Sequence, residues 1–559
     1  MIAQKKKVLY YFSIIRLIMM LQYKTNRTMK RWSEWKLQQY LFQFWLIYIF
    51  AIIFALISDT IADSDLSTNL GATTIITDKS SFTVYRLNPK TREQTEFLHE
   101  LLVNSTKIDF WKAPRVAGGQ VHVMIQGQMK DEFLRSMKMH NISYSVMIDD
   151  VEKKIRKLKE TAKRSRNYNR LRDDSSPSRR VYFNLAQYHS YNEMIDYLNQ
   201  LNAAYPDRTD VTNIGITHEG RPIKLIKIGK PRQFRKAGIW IDGGIHAREW
   251  VSPATVLYII DQLVTKYDVN PQIRRLVDDM DWFIVPLLNP DGYEYTRSST
   301  NPEVRLWRKN RSPIICRIAQ NGIFLQPQQE CCQGVDLNRN YDWHYGMEGS
   351  SNDPCSEIYQ GPSAFSEPET RAVHRFIAKR RDTIKTFLTF HSYSQILMYP
   401  FGHREQTYTS DVDDLKSTAV RAANALRAAY GTQYIVDPAS GGAEDWAKGR
   451  MGIKYSYLFE LRPDGQVWDG FLLDESQIMP TARETFEAVK VIADHASAMF
   501  TPKSLPNIER NNSKGLVCVD NEPFCAFWAQ HGYCASWEIM RRICARSCGF
   551  CHGKFNAAT

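Results

Sequence analysis

Between Val181 and about Phe500, short and almost wholly apolar runs alternate with longer stretches of helical spacing. IKLIKIG, AGIWIDGGI, DWFIVPLL and TFLTFHS read as strands buried on both faces. ATVLYIIDQLVTKY, EPETRAVHRFIAKRR and LKSTAVRAANALRAAY place apolar residues three and four apart, as amphipathic helices do. This alternation predicts an α/β domain over 181–500, its sheet covered by helices on both faces, with ligands at the carboxyl ends of strands. Residues 82–150 have a different rhythm. FTVYRL and QVHVMIQG alternate like strands, while EFLHELL and DEFLRSM have helical spacing, so a small separate α/β unit is expected.

The segments between these units are polar. Residues 63–81 are rich in Thr and Ser, and 501–516 (TPKSLPNIERNNSKGL) read as a linker. Residues 151–180 begin as a highly charged helix and end in an open Ser/Pro/Arg stretch. That stretch is either a solvated linker or a connector cut by a processing protease at its basic pairs. Residues 1–62 form an N-terminal extension. In it Tyr40 to Ile57 is almost continuously apolar, with Lys30, Arg31 and Lys36 before it, so the chain beyond 57 is expected outside the cell. The apolar run is either a cleaved signal peptide or a type II anchor with the catalytic unit outside.

Cysteine usage agrees with export. All ten cysteines lie at or beyond Cys316, and six fall in the last 42 residues, as in a disulfide framework. Asn104, Asn141 and Asn511 open glycosylation sequons. The formal net charge of +13 does not point to nucleic acid. Residues 1–180 hold 31 Lys and Arg against 17 Asp and Glu, which leaves the remainder at −1, so no basic surface is expected around a site in 181–500.

The candidate chemistry begins where AGIWIDGG ends. IHAREW carries His246 and Glu249 three apart, and TFLTFHSYSQ offers His391 directly after another buried strand. Two imidazoles and one carboxylate leave zinc a fourth position for water, the arrangement of catalytic rather than structural sites. His-x-x-Glu alone is a weak signal; the third ligand at a second strand end strengthens it.

The chain resembles the pancreatic carboxypeptidase A/B family of zinc metallocarboxypeptidases. The resemblance rests on GIHAREW, LLNPDGYEYT, LWRKNRS, GVDLNRNYDW, PCSEIYQGP, FHSYSQILMYPFG, ASGGAEDW, GIKYSYLFELR and SQIMPTA, in that order. It implies a mixed central sheet and one Zn2+ on His246, Glu249 and His391. Glu460 matches the general base, and Arg308 the arginine that polarises the scissile carbonyl. Asn338 and Arg339 match the pair that grips the substrate's terminal carboxylate. Arg248 and Tyr393 match further substrate contacts, and Asp336 matches the carboxylate that orients a zinc-bound imidazole. The reaction implied is hydrolysis of the last peptide bond of substrates with a free C-terminus. STKIDFWKAP and NISYSVMIDDVEKKI resemble the family's propeptide, which implies a zymogen and an activating protease; the basic, Ser/Pro-containing connector puts the expected cut near Arg179–Arg180. Cys332 and Cys355 match the family's disulfide, leaving Cys316 and Cys331 for each other.

Two features bear on specificity. The family carries a mobile tyrosine two residues before ASGG; here that position is Asp437, the preceding loop is short, and Tyr434 lies out of register. Past the paired glycines, Glu444 aligns with the floor of the pocket for the departing side chain, with Leu458 and Met398 narrowing it. A buried carboxylate there implies a preference for C-terminal Arg or Lys.

Residues 517–551, with the spacing C-x6-C-x8-C-x9-C-x3-C-x2-C, Asp520 and Trp528, resemble the ShK-like module of nematode secreted proteins. The resemblance implies the pairs Cys518–Cys551, Cys525–Cys544 and Cys534–Cys548. WEIMRR stands where channel blockers of that type carry lysine and an aromatic, so an extracellular matrix or cell-surface partner is expected instead. The alternative to an enzyme is a catalytically weak or inactive extracellular matrix or binding protein that keeps the fold. Asp437 favours that alternative; the complete ligand set, Glu460 and the Asn338–Arg339 pair favour the enzyme. Zinc deacylases of related fold are disfavoured by the propeptide-like unit and by LWRKNR.

Overall fold

The structure, a computed structural model, describes residues 81–170, 181–232, 236–319, 328–347, 349–402, 407–438 and 442–500. In the C-terminal module it describes 520, 525–530, 532, 534, 540 and 544–550. The apolar run at 40–57, both linkers, the end of the connector, Asn511 and the Cys518–Cys551 pair lie outside these residues. No described helix is long and apolar enough to cross a membrane.

The N-terminal unit is a four-stranded antiparallel sheet built from β1 (Phe82–Asn88), β2 (Asp109–Lys112), β3 (Val121–Gln126) and β4 (Ser143–Ile148), in the order β2-β3-β1-β4. Two helices cover one face, Arg92–Asn104 and Lys130–Met139. The first starts at a capping box in which Thr91 and Gln94 satisfy each other's backbone N–H groups. Alternation in β1 divides the side chains between two faces. Tyr85 and Leu87 join Leu98, Phe133 and Met137 in the unit's own core. Val84 turns the other way and packs, with Trp111, Met147 and Ile155, against Leu306, Tyr393, Phe471 and Leu472 of the larger domain. The charged connector is helical from Val151 through Arg170, longer than its composition suggested.

The larger domain is built on eight strands: β5 (Thr209–Ile216), β6 (Pro222–Ile228), β7 (Ala237–Gly243), β8 (Met280–Val285), β11 (Ile384–Ser394), β12 (Ile396–Tyr399), β13 (Ile435–Pro438) and β14 (Tyr455–Asp464). A separate two-stranded hairpin, β9 (Ile315–Ala319) and β10 (Gln328–Cys332), precedes β11. The main sheet runs β13-β12-β14-β11-β7-β8-β6-β5. It is mixed. β14, β11, β7 and β8 run parallel at its centre, while β12 and β6 turn antiparallel to their inner neighbours.

Each face of the sheet is buried. Ile239 and Ile241 of β7 pack under the helices Val251–Thr265, Val412–Tyr430 and Ile478–Phe500. Trp240, between them in sequence, packs on the opposite face with Phe387, Val373 and Trp446, near the helices Pro368–Ala378 and Ala443–Gly449. That is why β7 reads as a continuous apolar run rather than an alternating one. Trp240 is fully buried, and truncation to Ala is expected to cost roughly 3–5 kcal/mol. At the end of β7, Gly244 adopts φ +64°, and a Cβ there would lie 2.5 Å from Leu287 Cδ1, so only glycine turns the chain into 245–250 at this point.

Among the described residues four disulfides are formed: Cys316–Cys331, Cys332–Cys355, Cys525–Cys544 and Cys534–Cys548. The first ties β9 to β10 at a register pair. In the C-terminal module Asp520 accepts from the backbone N–H groups of Arg546 and Ser547 and from the Ser547 hydroxyl. These bonds and the two disulfides hold a unit too small to build a sufficient core.

Candidate active site

Parallel strands β7 and β11 lie side by side, and their carboxyl ends bring three side chains together. His246 and Glu249 come from the loop after β7. His391 comes from β11 itself, which continues to Ser394, so it lies inside the strand rather than after it. Donor atoms of His246, Glu249 and His391 all fall within 4.8 Å of one another, and all three residues are buried. His246 Nδ1 stands 2.8 Å from Glu249 Oε1 and 3.1 Å from His391 Nδ1. Glu249 Oε2 lies 3.3 Å from His391 Nδ1 and accepts from the Ser392 N–H. Burial pushes the Glu249 carboxyl up, but His246 and His391 outweigh it and hold the group ionised. Two ring nitrogens and a carboxylate converging on one buried point are a donor set that fits zinc.

The far side of each imidazole is also fixed. His246 Nε2 meets Asp336 Oδ1 at 3.1 Å, and Asp336 Oδ2 accepts from Arg308 Nε and NH2 at 3.1 and 2.9 Å. Burial raises the Asp336 carboxyl, yet Arg308 and His246 hold it well below the usual range. His391 Nε2 lies 3.3 Å from Thr389 Oγ1, which donates to Asp242 Oδ1. Asp242 and Thr389 are register partners on β7 and β11. Each Nδ1 is thereby left facing the shared point.

A cavity of about 1070 Å3 opens above this cluster. Arg308, Asn338, Arg339, Tyr393 and Glu460 line it, as do Met398 and Leu458. Glu460, in β14, has one carboxylate oxygen buried without a hydrogen bond among the described residues. Burial, and then Glu249, push this carboxyl well above its ordinary range. Asn338 Oδ1 accepts from the Ala443 N–H, and Arg339 Nε donates to Gly349 O. Glu357, which sequence reasoning passed over although it lies in PCSEIYQGP, also lines the cavity; burial and then Asp109 push its carboxyl up.

Glu444 is fully buried and does not line the cavity. Neither of its carboxylate oxygens is bonded among the described residues. Burial, then Asp445, pushes its carboxyl up to about 8. It is near Asn338: a Cβ on Gly442 would lie 2.6 Å from Asn338 Oδ1 and 2.8 Å from Glu444 Oε2. Tyr434 is packed into the main core and does not reach the cavity, whereas Asp437 stands at its edge.

The N-terminal unit forms one wall of the cavity. Residues 110–117 line its outer side. Asp109 accepts from Arg248 NH1 through both oxygens at 2.8 Å, and Phe110 O accepts from Arg248 NH2 at 3.3 Å. The Arg248 guanidinium also stacks 4.3 Å from the Phe471 ring. His122 Nδ1 meets the Tyr393 hydroxyl at 2.7 Å. Both Arg248 and Tyr393 are thus occupied by this unit.

Comparison with known proteins agrees with this geometry. The zinc carboxypeptidase profile matches residues 194–488, the carboxypeptidase activation peptide profile matches 85–158, and the ShK domain-like profile matches 517–551. Mouse carboxypeptidase A2 is 37% identical over 420 residues, covering 74% of this chain and 93% of that protein. Carboxypeptidase B of the crayfish Astacus astacus is 43% identical over 325 residues, 56% of this chain and 98% of its own length. Among solved structures, carboxypeptidase A from Helicoverpa armigera superposes with TM-score 0.65 at 29% identity, covering 76% of this chain and 99% of that one. Thrombin-activatable fibrinolysis inhibitor superposes with TM-score 0.61 at 31% identity, covering 75% and 99%.

Proposed function

The chain belongs to the zinc carboxypeptidase family, and from that premise we propose that it is the zymogen of an exported exopeptidase that removes C-terminal Arg or Lys. The observation that carries the reading is the convergence of His246, Glu249 and His391 beneath a cavity lined by Glu460, Arg308, Asn338 and Arg339. His246, Glu249 and His391 would hold zinc, which when bound would supply a Lewis acid and lower the pKa of water at the open position to about 7. Glu460 takes the proton of the attacking water and delivers it to the departing amine. Arg308, held by Asp336 through Nε and NH2, keeps its remaining nitrogen for the oxyanion that forms at the scissile carbonyl. Asn338 and Arg339 take the terminal carboxylate, which restricts cleavage to the last bond. Arg248 and Tyr393 bind the chain upstream once the prosegment has left.

The preference for Arg or Lys rests on Glu444. Burial, then Asp445, favours the neutral form of its carboxyl, pushed up to about 8 in the zymogen. Glu444 stands behind Asn338 rather than on the cavity wall; in this reading the wall yields in the mature enzyme, and a cation that reaches the carboxyl favours its ionisation and gains a strong partner, whereas an aromatic ring gains none. Export is supported by the disulfides. In this reading the C-terminal module carries the enzyme to an extracellular matrix or cell-surface partner, and the connector up to Arg180 is where an activating protease cuts.

The test is hydrolysis of blocked dipeptides ending in Arg, Lys, Phe or Leu by the trypsin-treated protein. Faster cleavage of Arg- and Lys-ended substrates, abolished by Glu444→Ala with the metal retained, is the expected result. Faster cleavage of Phe-ended substrates by the unmodified enzyme defeats the preference, and no cleavage of any of them defeats the enzyme.

A further inference from the structure

Asp437, Met398 and Leu458 form a row across the sheet. They are successive register partners on β13, β12 and β14, and register partners point to the same face. All three line the cavity. The row is apolar for two strands and ends in a carboxylate that is 48% exposed at the rim. Such a surface matches a side chain with an aliphatic stem and a cationic head.

The zymogen already lays one there. Arg115, between β2 and β3, places NH1 3.5 Å from Met398 Sδ. Its NH2 donates to Pro438 O at 2.8 Å and lies 3.6 Å from Asp437 Oδ2. We propose that Asp437 is a specificity-determining residue: in the activated enzyme it receives the guanidinium or ammonium of the residue being removed, in the place Arg115 holds in the zymogen. The proposal rests on the exopeptidase reading above but not on Glu444. Glu444 is fully buried and does not line the cavity, whereas Asp437 stands on its wall. Removal of the prosegment takes Arg115 away and leaves the rim carboxylate to the substrate.

The experiment compares the mature enzyme with its Asp437→Asn and Asp437→Tyr variants on blocked dipeptides ending in Arg, Lys and Phe, at low and high salt. A half-exposed pair contributes modestly. Asp437→Asn is therefore expected to lower kcat/KM for Arg- and Lys-ended substrates about two- to five-fold through KM, with Phe-ended cleavage unchanged or faster. The difference between enzyme and variant shrinks as salt rises. Equal change on Arg- and Phe-ended substrates, or no change on either, overturns the proposal. A fall carried by kcat at every salt concentration overturns it as well. The unmodified enzyme's Arg-to-Phe ratio tests the parent reading, and the shift of that ratio on substitution tests Asp437, so the two failures are separable.

Discussion

His391 and Glu460 are register partners on the adjacent parallel strands β11 and β14. One strand spacing, about 4.8 Å, therefore separates the backbone that carries a proposed metal ligand from the backbone that carries the proposed base. Both positions are set by sheet hydrogen bonding rather than by a loop, which gives the precision proton transfer needs. Glu460→Gln keeps the shape of the side chain and removes its basicity. The expected result is a loss of kcat of about 10^2- to 10^4-fold with zinc content unchanged by atomic absorption. A variant that loses its zinc would instead place Glu460 among the ligands.

Asp336 ties two functions together, because one oxygen receives His246 and the other receives Arg308. Asp336→Asn puts an amide donor against a donor on one of these two sides. Loss of about 10- to 100-fold in zinc affinity or activity is expected, and titration with a chelator measures it. A variant as resistant to chelation and as active as the parent would show that the pairing is incidental.

The parts of this site legible in the sequence were those encoded locally. His246 and Glu249 stand three apart after an apolar run, and His391 follows the same kind of run. What the linear pattern could not show was register. The path from Asp242 through Thr389 to His391 exists only because β7 and β11 pair as they do, and Asp242 reads in sequence as one polar residue in a strand. Strand β13 was hidden because its side chains are half-exposed and it is only four residues long. The hold of Asp109 on Arg248 joins positions 139 residues apart, and no periodicity reports such a contact.

That hold has a measurable consequence. Arg248 is fully buried, and Asp109 neutralises it through two bonds. Removing one partner of a buried pair leaves an uncompensated charge, at a cost of roughly 3–5 kcal/mol. In the zymogen carrying Asp109→Ala this cost falls on the docked state. Activity of the uncleaved zymogen is expected to rise at least tenfold, while the activity of the mature enzyme, which lacks residue 109, stays the same. An uncleaved variant as silent as the parent would show that Asp109 is not what keeps the prosegment in place.

The last prediction is a pH dependence of prosegment release. His122 is fully buried at the junction of β3 with the larger domain, bonded to the Tyr393 hydroxyl, and its Nε2 has no hydrogen bond among the described residues. Burial, then Lys112 on β2 and Arg86 on β1, push its pKa down to about 3. Asp464 and Glu460 act on Lys112, and no acid is among the groups that shift His122. Once undocked, the imidazole is hydrated and returns toward its ordinary value of about 6.5. Between those two values the undocked state binds more protons than the docked one, so acid favours undocking. The contribution of His122 to docking is fully present above about pH 6.5, is lost as the pH falls below it, and levels off near pH 3. After proteolytic cleavage of the connector, the prosegment should leave faster at pH 5 than at pH 7.5, as followed by the onset of activity in assays returned to one common pH. His122→Gln, which cannot take up a proton, should flatten that dependence. A dependence that survives the substitution unchanged would move the effect to another group.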